Sequence, residues 1–321
     1  MLLMLADYLH SLDPILIKFS ETIAIRWYGL AYIAGFLLGF LLLRWLARRG
    51  LTEVPEKKLS DFITYAAVFG VLLGGRLGYM FLYDFDRLLE NPLNLLSIHK
   101  GGMASHGGFL GIALFTLYYA KRHKLSWLGI GDDFVVAAPI GLFFGRMANF
   151  INGELFGRPG DVPWSVRFPT AIHDSRFVPA ADFDGRIPWA LLEGSSRDIV
   201  QRAASNPELA MFLEKGLNSR HPSQLYEAAL EGLLLFAILL GLRLRFPTLP
   251  KGVLTGWFFV LYALFRIYCE TFRLPDDGES DILGLSKGQF YSTFMIVAGI
   301  AFLGFAYLRS KATTTTAKSI D

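Results

Sequence analysis

The sequence predicts an all-α integral membrane protein of seven transmembrane helices, with a small extracytoplasmic subdomain between the fourth and fifth. Three observations carry this. Of the 321 residues, 53% are hydrophobic and 18% charged, and the mean hydropathy is +0.40, more apolar than an ordinary soluble domain. Apolar runs of spanning length recur along the chain. Basic residues gather between those runs, at alternate ends.

In order, the runs are Tyr28 to Ala47, Phe62 to Phe81, His106 to Ala120, Phe134 to Ile151, Leu225 to Leu242, Val253 to Phe272 and Phe290 to Leu308. The run from His106 is shorter than the others and opens on Gly107 and Gly108, so its length alone allows a re-entrant segment. The loop charges decide for crossing. Arg44, Arg48, Arg49, Lys57 and Lys58 form one basic cluster; Lys121, Arg122 and Lys124 a second; Arg243, Arg245 and Lys251 a third; Arg309, Lys311 and Lys318 a fourth. They fall on one side of the membrane only if the short run spans. The N-terminus is then outside and the C-terminus in the cytoplasm.

Residues 1–310 are read as one membrane domain. Residues 152–222, rich in Pro, Gly and mixed charge, are an outward-facing insertion within it, and the polar tail 311–321 is expected to be disordered. The N-terminal MLLMLADYLHSLDP has neither the basic start nor the small-residue cleavage site of a secretory signal, and is read as part of the mature chain.

Composition excludes several functions. The net charge of +3 is scattered in clusters, whereas a nucleic-acid binder needs one continuous basic face. A single cysteine, Cys269, rules out an intrachain disulfide framework and any multi-cysteine metal site.

Charged groups inside a span are costly and therefore candidates for function. Arg76, Arg146 and Arg266 lie 14, 12 and 13 residues in from Phe62, Phe134 and Val253, roughly 20 Å along helices that all start at the cytoplasm. That puts the three guanidinium groups at a similar level in the outer half of the bilayer, where a phospholipid headgroup would sit. Arginine suits a phosphate because its fork of donors stays charged in a low dielectric. Arg266, Glu270 and Arg273 follow at i, i+4 and i+7 and share one helix face; the plain reading is an intrahelical ion pair. Tyr28 opens the first helix, His106 the third, and Asn149, Asn152 and Glu154 end the fourth, so their polar groups converge on the same side.

Two motifs invite other readings. Gly129 to Asp132 spells GIGD, as in intramembrane aspartyl proteases, with Tyr83-Asp84 as second half. Asp132 begins the fourth helix inside while Asp84 ends the second outside, so they cannot share a proton. Asp132 and Asp133 read instead as cap and first-turn acid of the fourth helix. HPSQLYE, His221 to Glu227, is a capped helix start or the rim of a site.

The run GRMANFINGELFG, Gly145 to Gly157, closely resembles the signature of the prolipoprotein diacylglyceryl transferases. The resemblance extends through RWYGLAY, GGRLGY, GGMASHGG, RHPSQLYE and LYALFRIYCETFR, over nearly the whole chain. It implies a multi-pass enzyme of the bacterial inner membrane, with 152–222 as a periplasmic insertion. It further implies transfer of the diacylglyceryl group from phosphatidylglycerol to the lipobox cysteine thiol of a preprolipoprotein signal peptide, forming a thioether and releasing glycerol phosphate. No cofactor, metal or nucleic acid is expected; membrane lipids are.

The resemblance assigns Arg146 and Arg266 to the phosphate. His106 becomes the acceptor of the thiol proton, since imidazole titrates close to working pH. Tyr28, Asn149, Glu154, Gly157, Tyr262 and Glu270 fall on headgroup binding or on orienting the arginines, and Arg76, Arg273 and His221 are further candidates. The segment between Arg158 and Arg220 is longer than the resemblance leads one to expect of compact family members. On the residues alone, a transporter or channel selecting a phosphorylated solute, or a protein that merely holds anionic lipid, stays open as an alternative.

Overall fold

The computed structural model describes residues 8–20, 23–97, 101–275 and 282–318, without the side chains of residues 96, 105 and 312–318. Among the described residues seven long helices follow one another: α1 Trp27–Arg48, α2 Glu56–Tyr83, α3 Ser105–His123, α4 Trp127–Asn152, α5 Ser223–Arg245, α6 Val253–Glu270 and α7 Lys287–Lys318. Six of them, all but the 19-residue α3, are long and apolar enough to cross a membrane. The chain is a multi-pass membrane protein.

The helix ends differ from the hydropathy limits where polar residues continue the helix. The α2 helix starts at Glu56 and runs 28 residues, and α4 starts at Trp127, capped by the Ser126 hydroxyl accepting from the Gly129 amide. Asp132 and Asp133 are therefore inside α4 and do not cap it. Asp132 instead accepts from the amides of Gly252 and Thr255 and from the Thr255 hydroxyl, at 2.7, 2.8 and 2.8 Å, so it caps the start of α6 from a neighbouring helix. Asp133 accepts from the Glu53 amide at 2.6 Å and pairs with Arg243 at 3.2 Å. With these partners filled, and Asp84 paired to Arg87, the protease reading has no dyad. At the far end α7 continues as helix to Lys318, through most of the polar tail.

The chain divides into two compact units. One comprises residues 40–137, 243–255 and 305–321. Its core is Leu43, Val54, Leu59, Phe62, Tyr119, Ala120 and Ile130. Here α2 and α3 touch backbone to backbone: a Cβ on Gly74 would lie 2.6 Å from the Gly107 carbonyl oxygen and 2.8 Å from the Gly111 Cα. Gly70, Gly74 and Gly78 recur every fourth residue against Gly107 and Gly111, the small-residue spacing that lets membrane helices approach.

The other unit comprises residues 1–39, 138–242 and 256–304. Within residues 152–222 it has a core of its own, Ile172, Leu192, Ile199, Leu209, Phe212, Leu213 and Leu217. A capping box between Ser195 and Asp198 starts the helix Ser196–Ala203, and Asn206 caps Pro207–Met211. The N-terminal strand Tyr8–Leu9 pairs in parallel with Val166–Arg167, tying the chain start to this segment; residues 1–7 lie outside the described ones.

Candidate active site

Segments of three helices that lie in this second unit bring charge together. Arg146 from α4 and Arg266 from α6 both meet a pair of glutamates on α5. Arg146 Nη1 lies 3.1 Å from Glu227 Oε2, and its Nη2 donates to Glu231 Oε2 at 3.3 Å. Arg266 Nη1 donates to Glu227 Oε1 at 2.5 Å and approaches Glu231 Oε1 at 3.8 Å, while its Nη2 lies 2.8 Å from Glu270 Oε2. Both α5 glutamates are 0% exposed and Glu270 is 2% exposed, so this is a desolvated ion network, in which unpaired charge would be costly. Tyr262 lies one turn before Arg266 on α6.

Local structure explains the convergence. Glu227 and Glu231 are four residues apart and share a face of α5. The backbone there widens into a π-helical segment, Ala228–Leu234, a form enriched at functional sites. Next to Glu231, a Cβ on Gly232 would stand 2.7 Å from Phe143 Cβ and 2.9 Å from Phe143 Cα. The α4 and α5 backbones are thus in contact one turn before Arg146.

The expected ion pair of Arg266 with Glu270 is present. Arg273 is corrected in one respect: α6 ends at Glu270, so Arg273 lies beyond the helix, in an isolated bridge with Gly157. Its Nη1 is still 4.0 Å from Glu270. The Phe272 carbonyl accepts from the Arg158 amide at 2.8 Å. Gly157 donates its amide to the His221 carbonyl at 2.9 Å, and a Cβ there would stand 2.6 Å from the Phe272 carbonyl oxygen; only glycine fits. The His221 ring shares a hydrogen bond with the Tyr226 hydroxyl at 3.2 Å, which also accepts from the Trp164 indole at 2.6 Å.

A second polar set ends α4. Asn149 donates to Glu154 Oε1 at 2.8 Å and to the Tyr28 hydroxyl at 3.4 Å. Asn152 donates to the same carboxylate oxygen at 3.4 Å, and Gln224 to the Glu154 carbonyl at 2.7 Å. Tyr28, Asn149, Asn152 and Glu154 are therefore brought together.

Arg76 and His106 belong to the other compact unit. Arg76 is 3% exposed and donates to the carbonyls of Asn94, Leu95, Gly101 and Gly102, so its guanidinium holds the segment after α2. His106 is exposed in the first turn of α3.

Sequence reasoning missed Glu231 and treated Glu227 only as a rim. The signal was present: two acids four residues apart, inside an apolar run, obey the same cost rule that singled out the arginines.

A family model described as Prolipoprotein diacylglyceryl transferase matches residues 14–305. Curated proteins named phosphatidylglycerol–prolipoprotein diacylglyceryl transferase are similar over most of their length. The one from Nitrosomonas europaea is 42% identical, over 92% of this chain and 90% of that protein. The one from Allorhizobium ampelinum is 40% identical over 90% and 88%, and that from Bdellovibrio bacteriovorus 38% identical over 92% of each.

Proposed function

The chain belongs to the prolipoprotein diacylglyceryl transferase family, and from that premise we propose that the Arg146–Arg266 centre is where it moves a diacylglyceryl group from phosphatidylglycerol to a prolipoprotein. The observation that supports this site is the convergence of two guanidinium groups, from α4 and α6, on one buried carboxylate pair. The enzyme works in the bacterial inner membrane with seven crossings, its N-terminus and the 152–222 segment periplasmic and its C-terminus cytoplasmic.

The acceptor is the thiol of the lipobox cysteine. As thiolate it attacks the glycerol carbon that bears the phosphate; a carbon–sulfur bond forms, the carbon–oxygen bond breaks, and glycerol phosphate leaves with the bonding pair. The phosphate passes from a singly charged diester to a more highly charged monoester. Fixed cations beside it bind the transition state more strongly than the ground state. Arg146 and Arg266 supply them, and burial keeps their field unscreened.

His106 accepts the thiol proton. The set Tyr28, Asn149 and Glu154 binds the headgroup glycerol, whose hydroxyls need both donors and acceptors. Gly157, Tyr262 and Glu270 hold the arginines and the adjoining chain in place, with Arg273 and His221 at the margin.

The test uses the purified protein in phosphatidylglycerol vesicles with a lipobox peptide, following thioether formation. Arg146→Ala and Arg266→Ala are each expected to lower the rate by at least about 100-fold, and His106→Gln by at least about 10-fold, with the proteins still inserted. Parental rates in both arginine variants sink the proposed centre; a parental rate in His106→Gln removes it as base.

A further inference from the structure

A site built to hold phosphate gains nothing, in simple charge terms, from carboxylates beside its cations. Yet Glu227 and Glu231 lie fully buried between Arg146 and Arg266, in a helix otherwise rich in Leu and Ala. The two are not equivalent. Glu227 accepts a hydrogen bond from Arg266 at 2.5 Å and forms an ion pair with Arg146 at 3.1 Å. Glu231 stands farther off, at 3.3 and 3.8 Å, yet it is the one that accepts a hydrogen bond from Arg146, Nη2 to Oε2, and each of the three carboxylates keeps one buried oxygen without a hydrogen-bond donor: Glu227 Oε2, Glu231 Oε1 and Glu270 Oε2. A buried acceptor left without a donor calls for an explanation.

Resting on the reading of Arg146 and Arg266 given above, we propose that Glu231 is a positioning residue for the transfer reaction, acting through Arg146. Glu227 joins the two arginines. Glu231 fixes the rotation of the Arg146 fork about that joint by engaging Nη2, so that the remaining donors are aimed before lipid arrives. The α4–α5 contact at Gly232 and Phe143 sets the distance over which this works. Its long bonds make the hold one that the developing phosphate charge competes with, while Glu227 keeps the cluster assembled.

A fork misaimed by about 1 Å loses transition-state contacts more than ground-state binding. Removing a negative charge also leaves the site more attractive to an anionic headgroup. Glu231→Gln, assayed with peptide and phosphatidylglycerol vesicles, is therefore expected to lower kcat about 10- to 100-fold, with KM for the lipid unchanged or lower. Its thermal midpoint stays within about 3 °C of the parent. In an Arg146→Lys background, which lacks the fork, the same change is expected to cost less than about threefold.

A parental kcat, a raised KM at parental kcat, a kcat loss explained by less folded enzyme, or an undiminished effect in the Arg146→Lys background overturns the proposal. If Glu231→Gln does not accumulate in folded form, Glu231→Asp, which keeps the charge and withdraws the oxygens, is judged by the same kcat and KM criteria. Failure of the underlying reading looks different: there Arg146→Ala itself keeps the parental rate, whereas an inactive Arg146→Ala beside a parental Glu231→Gln defeats only the positioning role.

Discussion

His10 shows how one side chain ties the stability of this protein to pH. Its ring is 0% exposed, packs on Phe150 and Phe168 at 5.5 and 5.2 Å, and its Nε2 donates to the Phe150 carbonyl at 2.8 Å. Burial pushes its pKa down from 6.5 to about 4, against the opposing pull of that carbonyl. The unfolded chain therefore binds a proton here below about pH 6.5 that the folded chain refuses until about pH 4. Stability is full above this window and is lost as pH falls through it, by about 3 kcal/mol at the lower edge. Thermal unfolding of the detergent-solubilised protein between pH 7 and 5 should show the midpoint falling, and His10→Gln should flatten that fall. An equal slope in both would show that other groups cause it. Asp198 works at the other end of the scale: the Ser195 hydroxyl and amide hold its carboxyl below the usual range, so its capping box weakens only in stronger acid.

Among elements, the α2–α3 contact depends on the absence of side chains. Gly74→Val must push apart two backbones, since the new Cβ meets the Gly107 carbonyl and the Gly111 Cα rather than a movable side-chain tip. A loss of about 1–3 kcal/mol or more is expected, read as a drop in thermal midpoint. Gly141→Ala on α4 is the control: nothing lies within 4 Å of its Cβ, and alanine in a helix interior is worth up to about 1 kcal/mol over glycine. If both variants lose stability alike, close approach is not what the glycines provide. The Asp132 cap joins elements by another route, because a carboxylate on α4 satisfies the first amides of α6 where its own sequence offers Lys251 and Gly252.

For the whole molecule, the disposition across the membrane turns on α3, which hydropathy leaves outside the six clear spans. Seven crossings put the loop before α3 outside and the Lys121, Arg122, Lys124 cluster inside. Cys269, the one cysteine of the chain, is fully buried, so introduced thiols report with little background. In intact cells an impermeant thiol reagent should label Asp86→Cys and Ser205→Cys, and should label Arg122→Cys and Ser310→Cys only after permeabilisation. Labelling of Asp86→Cys and Arg122→Cys from the same side would mean that α3 does not cross.

The sequence alone determined the membrane class, the order of the apolar helices and the arginines worth attention, because hydropathy and the cost of buried charge act residue by residue. Only the tertiary structure decided what those arginines face. Glu231 belongs to the site because α4, α5 and α6 pack together, Asp132 serves α6 because two distant segments adjoin, and Arg273 pairs with Gly157 because the chain after α6 meets the segment after α4. Partners distant in sequence are chosen by packing, and neither period nor composition encodes them.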